Sequence, residues 1–257
     1  SKQICSKIST TLFVITRNSV NYIIVLYALE HVSLVQDAVS ALSNGKFILI
    51  HDSESRENEV DMVKAAQFIN PHDIATMRND AGGLICLAIS GEIASKLNLI
   101  FMHDLLLDAS KNNPAFSKMV TSIAPYGDRP SFSITVNHVD TFTGITDRDR
   151  ALTITKMAEV CSDIDNFGIS EFFKKFRSPG HVPILIAAKK LLKERSGHTE
   201  LSVQLMKLAN LIPTVVICEM LDSDTGGALT VKKAVEYSAR YKIPLVESLQ
   251  IKQIYVN

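Results

Sequence analysis

From Ser33 onward the chain alternates between two hydrophobic periods, and that alternation limits the fold more than any other feature of the sequence. "SLVQDAVSALSNG" sets Leu34, Val35, Ala38, Val39 and Leu42 at the spacing of a buried helical stripe, with Ser33 as the expected N-cap and Gly45 as the stop. The strand-like "KFILIH" follows at once. "PHDIATMRNDAGG" reads as a short helix closed by a glycine pair, ahead of the apolar strand "LICLAIS" and a further helix in "GEIASKLNL". "SFSITVN" alternates as a strand does and "DRDRALTITKMAEVC" has helical spacing. The turn residues Pro179 and Gly180 precede "PILIAAKKLLKE", which is expected to be an amphipathic helix with its lysines outward. "TELSVQLMKLANL" is helical, "PTVVICEML" is a buried strand, and "TVKKAVEYSARYK" with "IPLVES" supplies one more helix and strand. Residues 104–130, rich in Asn, Ser, Pro and Gly, read as a long loop, either a lid or an insertion. The expected fold is therefore α/β (α+β), a mixed β-sheet flanked by helices.

At 257 residues the chain suits one large domain with a sizeable core. Lys+Arg 27 against Asp+Glu 27 leaves no global field to draw it to nucleic acid or an anionic membrane, so a charged ligand has to be held locally. The four cysteines, Cys5, Cys86, Cys161 and Cys218, form no CxxC pair, which argues against a thiolate zinc site or a disulfide scaffold and favours a reducing cytoplasm. Residues 1–32 form a distinct N-terminal extension ahead of the domain at 33–257. Its apolar runs "TLFVIT" and "VNYIIVLYALE" fall short of the roughly 20 residues that cross a bilayer, and are expected to form a packing or dimer-facing element. No membrane association is expected.

Several short segments can carry chemistry. "DSESRENEVDM" gathers Asp52, Glu54, Glu57, Glu59 and Asp61 around Arg56, just after an apolar strand. Like charges so close repel unless a cation offsets them, and a hard divalent ion such as Mg²⁺ prefers such oxygen ligands. A solvated acidic loop explains the same residues equally well. "ERSGHTE" places Arg195, Ser196, Gly197, His198 and Thr199 at the start of a helix, where amide groups and the dipole favour an anion. Thr199 is the expected N-cap, and the competing reading is a plain turn and cap. Arg195 there opposes the dipole unless an anion is near. His181 follows a Pro-Gly pair, and Glu219 stands inside an apolar strand, where a carboxylate is costly unless paired or at the mouth of a site. "AGGLICL" lets a backbone approach a ligand before Cys86, itself readable as a small buried hydrophobe, and Thr143 lies beside Gly144 in "DTFTGITDRDR". The absence of GxGxxG, Walker and GxSxG patterns disfavours dinucleotide, nucleotide and acyl-serine chemistry.

Taken in order, "DSESRENEVDMV", "DAGGLICLAIS", "TFTGITDRDRALTI", "FRSPGHV", "RSGHTE" and "ICEML" resemble the 3,4-dihydroxy-2-butanone 4-phosphate synthases of riboflavin biosynthesis, from about Ser33 to the end. The resemblance implies a Mg²⁺- or Mn²⁺-dependent lyase with no organic cofactor, converting D-ribulose 5-phosphate to L-3,4-dihydroxy-2-butanone 4-phosphate and formate. It implies a homodimer with sites at the subunit boundary. Carried over by motif, Glu57 and His198 would hold metal, Arg56 and Asp61 the sugar, and Arg195 through Thr199 the substrate with its phosphate. His181 and Glu219, with Glu57 and Asp61, would serve catalysis, and Cys86 and Thr143 would line the pocket. Val60 stands where the family commonly has Gly, so a different path of the acidic loop is expected. No cysteine-rich zinc motif follows, as it would in a fusion to GTP cyclohydrolase II, so a monofunctional chain is expected. A metal-dependent isomerase or aldolase of another sugar phosphate, or a non-catalytic phosphosugar-binding protein, would use the same acidic loop and anion site.

Overall fold

The computed structural model describes residues 32–256 apart from 114, 121–123 and 126, so the two apolar runs of the N-terminal extension lie outside the described residues. One seven-stranded mixed sheet organises the domain. Its strands are β1 (Ile48–His51), β2 (Val60–Ala65), β3 (Cys86–Ile89), β4 (Phe132–His138), β5 (Phe176–Ile186), β6 (Thr214–Glu219) and β9 (Leu245–Glu247), in the order β4-β5-β3-β6-β2-β1-β9. A small hairpin supplies β7 (Leu221–Asp222) and β8 (Gly227–Ala228). The β3–β5 and β1–β9 pairs are parallel and the rest antiparallel. Strands β2, β3 and β6 are covered on both faces, which is why "LICLAI" and "TVVIC" are continuous apolar runs rather than alternating ones.

Helices cover both faces. On one, α2 (Pro71–Thr76), α5 (Asp147–Ser162) and α6 (Ile164–Lys175, broken at Gly168) bring Ile74, Ile154, Met157 and Phe172 into a core with Leu49, Met62, Leu87 and Val216. On the other, α1 (32–43) and α7 (His198–Leu208) pack Ala38, Leu42, Leu201 and Leu205 with Ile48, Ile50, Val63 and Val215. Neighbouring residues such as Met62 and Val63 enter opposite cores, as the two-residue period of a strand requires. The remaining helices are α3 (Gly91–Lys96), α4 (Met102–Ser110), α8 (Val231–Tyr241) and α9 (Ser248–Val256). The expected mixed sheet flanked by helices in a single domain is what the chain forms.

Local details differ from the sequence reading. Ser33 lies inside α1 rather than capping it, and Gly197, not Thr199, occupies the N-cap of α7. Pro179 and Gly180 make no turn. The whole of "FRSPGHVPILI" is β5, with a cis Ser178–Pro179 peptide and a register shift opposite Val136 and Asn137. At that shift Thr135 Oγ1 and Asn137 Oδ1 accept the Gly180 and His181 amides, so side chains replace ladder bonds. A Cβ on Gly180 would lie 2.0 Å from the Val136 carbonyl carbon, so only glycine lets the strands approach. "PILIAAKKLLKE" is accordingly no helix: Pro183–Ile186 completes β5, and only a 3₁₀ turn, Leu191–Lys193, follows. Its apolar run is buried between β4 and β3, and such a run cannot be told from a helical stripe by spacing alone. The stretch from 104 likewise begins inside α4, because "MHDLLLD" is rich in helix formers and the Asn-rich part starts only after it.

Candidate active site

His51 ends β1 and pairs with Val60 at the start of β2, so residues 52–59 must reverse the chain at one end of the sheet. Asp52 holds that reversal. Fully buried, it accepts the amides of Glu57 at 3.0 Å and Glu59 at 3.2 Å and the Arg56 guanidinium at 3.1 Å. Asn58 takes a left-handed conformation at φ 54°, and its Oδ1 meets His51 Nε2 at 3.1 Å. The other ring nitrogen of His51 lies 2.5 Å from Glu247 Oε2 on β9. Val60 is buried in the strand and is not among the positive-φ residues, so no glycine conformation is demanded at that position.

The loop presents Glu57 to the first residue of α7. His198 Nδ1 stands 3.1 Å from Glu57 Oε2, while Nε2 stands 3.1 Å from the Glu59 carbonyl oxygen and 3.8 Å from Asp61 Oδ1. Both nitrogens face acceptors, which suits the doubly protonated ring. Burial pushes the His198 pKa down, but the charge of Asp61 and the bond to Glu57 outweigh it and bring it to about 9.

Asp61 lies on β2 directly across from Glu219, the last residue of β6. Burial pushes Asp61 up to about 7, opposed by His198 and reinforced by Glu219, Glu57 and Glu59, so near neutral pH this carboxyl can hold or release a proton. Its Oδ1 is buried without a hydrogen-bond partner. Glu219 Oε2 accepts the Leu84 amide at 2.8 Å. The glycine pair of "AGGLICL" serves this contact rather than an approach to a ligand: Gly83 N–H donates to the Glu219 carbonyl, and a Cβ there would sit 2.5 Å from that oxygen.

Arg195, flagged in the sequence as needing an anion, finds protein carboxylates. Its Nη1 lies 2.5 Å from Glu200 Oε2, and Asp128 Oδ2 stands 3.5 Å from its Nε. Asp128 also pairs with Arg56. A cavity of about 810 Å³ borders Arg195, Asp128 and Glu200, and neither Glu57 nor His198 lines it. Asp128 and Glu200 carry no local signal in the sequence; Asp128 comes from the long loop, 72 residues from Arg56.

A family model described as 3,4-dihydroxy-2-butanone 4-phosphate synthase matches residues 36–254. The chain belongs to that family. Its curated relatives include the 3,4-dihydroxy-2-butanone 4-phosphate synthases of Archaeoglobus fulgidus, 47% identical over 86% of this chain and 93% of that protein, and of Methanothermobacter thermautotrophicus, 42% identical over 89% and 99%. A solved 3,4-dihydroxy-2-butanone 4-phosphate synthase in complex with two magnesium ions superimposes with a TM-score of 0.69 at 28% identity, covering 84% of this chain and 94% of that one. The chain is thus an enzyme of the synthase family of riboflavin biosynthesis. Among the described residues, no helix is long and apolar enough to cross a membrane.

The donor set suits the hard cation of that relative. Asp52, Glu57 and His198 offer ligand atoms within 4.8 Å of one another. The 3.1 Å between Glu57 Oε2 and His198 Nδ1 is close to the roughly 3 Å between neighbouring ligands of an octahedral ion bound at about 2.1 Å. Both oxygens of Asp52 already brace the loop, which leaves Glu57 and His198 as the better pair. The proton between them stands where a cation would compete for the same two atoms.

Not every candidate residue is gathered here. Arg56, Glu57, Asp61, Arg195, His198 and Glu219 converge, with Ser196, Gly197 and Thr199 beside them at the start of α7. Cys86 is buried in β3, and burial first, then Glu219 and Asp61, push its thiol far up, so it is a neutral spacer. His181 is exposed on β5, three residues before the Ile184–Leu87 pair, at the same end of the sheet as Glu219 but separated from β6 by β3. Its ring meets Asn137 at 3.1 Å. Thr143 lies on an exposed loop, with Asp149 Oδ2 3.4 Å from its hydroxyl and Phe142 93% exposed beside it.

Proposed function

We propose that the chain converts D-ribulose 5-phosphate to L-3,4-dihydroxy-2-butanone 4-phosphate and formate, with Mg²⁺ or Mn²⁺ held by Glu57 and His198, as a cytoplasmic homodimer with its sites at the subunit boundary. The observation that carries this reading is the convergence of a cation-ready Glu57–His198 pair with the facing carboxyls of Asp61 and Glu219. The bound ion supplies Lewis-acid polarisation of neighbouring substrate oxygens. The residues of the chain do the rest. Arg195 to Thr199 hold the phosphate end at the helix start, and Arg56 and Asp61 hold sugar hydroxyls. Cys86 backs Asp61 and Glu219 from within β3, and Thr143, on its exposed loop, would reach a site only from a partner subunit.

Proton removal beside the ketone gives an enediolate, which loses water. Migration of the carbon skeleton and release of C4 as formate follow; the water that re-enters replaces the oxygen lost in the dehydration, so the two products together carry the five carbons and the same number of oxygens as the substrate. Each step moves a proton to or from a different atom. Asp61 and Glu219, facing across two strands with Asp61 poised near pH 7, can pass one proton between them. His181 supplies a second relay point from the outer side of the sheet. The exposed Phe142 and Ile145 flank Thr143 and support a loop that meets a partner subunit. Incubation with ribulose 5-phosphate and Mg²⁺ is expected to release one formate per four-carbon product, identified by NMR, and EDTA is expected to stop it. A five-carbon product or no formate would overturn the assignment.

A further inference from the structure

Arg56 and Arg195 come from opposite ends of the sequence segment that builds the site, yet one carboxylate oxygen lies between them. Asp128 Oδ2 pairs with an Nη of Arg56 and stands 3.5 Å from Arg195 Nε. The fit is uneven. Arg195 Nε is buried and makes no hydrogen bond, although such a donor is costly to leave unpaired. A carboxylate on a fixed loop reaches one guanidinium well and the other poorly. A larger tetrahedral dianion could reach both.

We infer that Asp128 is a stand-in for the anionic end of the substrate, and that the phosphate group displaces it on binding. This rests on the proposed reading of Arg195 as part of the substrate clasp. Charge balance argues for displacement over coexistence. Arg56 also faces Asp52 and, at 3.9 Å, Glu57, and Arg195 also faces Glu200, so with Asp128 in place the two arginines and the His198 that pairs with Glu57 already meet four carboxylates. A dianion added to that group would meet net repulsion at short range; with Asp128 withdrawn, Arg195 keeps Glu200, Arg56 keeps Asp52 and the more distant Glu57, which His198 offsets, and the two guanidinium groups can share the incoming group. Withdrawal is feasible. Asp128 is about a third exposed, borders the 810 Å³ cavity, and is held through its backbone, where its carbonyl accepts the Ala124 amide at 2.7 Å. Asp128 thereby sets specificity: a neutral sugar cannot supply the charge that replaces it, whereas a sugar phosphate can.

The test uses inorganic phosphate as the probe and the whole chain. If the bridge is closed about nine-tenths of the time, apparent affinity is lowered about tenfold, so Asp128→Asn and Asp128→Ala are each expected to tighten phosphate binding by about that factor in calorimetry. Tighter binding could also come from removing a nearby negative charge, so a second measurement separates the two. In the unaltered protein, phosphate is expected to speed hydrogen exchange at the Ala124 amide, as its bond to the Asp128 carbonyl loosens. Binding unchanged or weakened in the two variants, or an Ala124 amide slowed or unaffected by phosphate, would overturn the inference. Melting curves check that both variants fold, and the near-isosteric Asp128→Asn serves if Asp128→Ala does not. Formate release is scored separately: phosphate displacement without any formate would sink the assigned reaction and leave the role of Asp128 standing.

Discussion

The two ends of the candidate site are built differently. Around Glu57 and His198 everything is internal: Asp52 braces the loop, the imidazole is buried, and each group meets another within the same chain. Around His181 and Thr143 the side chains face outward, with Asn137 and Asp149 as their near neighbours and Phe142 bare to solvent. A preformed pocket tolerates no second chain between its residues, whereas an exposed imidazole beside an exposed aromatic ring is what a subunit contact would use. Under the proposed function, the difference separates an internal half that a single chain completes, with Glu57 and His198 toward the cation and Asp61 and Glu219 toward protons, from an exposed half at His181 and Thr143 that a partner would complete.

The sharpest break in that division is Glu219→Ala, which removes a proposed proton-handling group and leaves the Glu57–His198 pair intact. Turnover is expected to fall by about 10²- to 10⁴-fold, with the magnesium requirement and KM little changed. A loss confined to metal affinity would make Glu219 a cation-side residue and not a proton-handling one. Glu57→Gln should do the reverse at a smaller scale, raising the Mg²⁺ concentration for half-maximal activity by roughly 10- to 100-fold, a shift that titration with Mg²⁺ measures directly.

Mixing sharpens the comparison further. If His181 acts on the site built by Glu57 of the other subunit, Glu57→Gln and His181→Ala should rescue each other at a Mg²⁺ concentration that saturates the unaltered protein but leaves Glu57→Gln nearly idle. Random reassociation gives about half heterodimers with one intact site in two, hence about one quarter of the unaltered activity. No recovery after denaturation and joint refolding would put both residues in one chain's site.

Much of this division could be read from residues, and the failures have causes. The acidic loop, the "RSGHTE" helix start and Glu219 at a strand end were legible because charge in an apolar setting is rare. The pairing of Asp61 with Glu219 was not, because register is set by a tertiary contact between strands more than 150 residues apart. Asp128 and Glu200 were missed for the same reason: the arginines they satisfy are identifiable locally, but their partners are chosen by folding. The segment at Pro179 misled because a Pro-Gly pair ordinarily turns the chain, while here a register shift and two side-chain acceptors keep it in the sheet.

The smallest expected effect concerns what holds the internal half in place. His51 ties Asn58 of the acidic loop to Glu247 of β9, and its pKa is raised, chiefly by the Glu247 bond, against the opposing effect of burial. A group whose folded pKa exceeds its unfolded value of about 6.5 contributes stability that is complete below that value and is lost as pH rises through the folded pKa. Thermal stability should therefore decline, as pH rises above about 6.5, more steeply in the unaltered protein than in His51→Gln, whose amide cannot titrate. At pH 6 the substitution should cost about 1 kcal/mol, or roughly 2–4 °C in Tm. Parallel pH profiles for the two proteins would show that the clamp does not depend on the imidazolium, and that the loop owes its position to Asp52 alone.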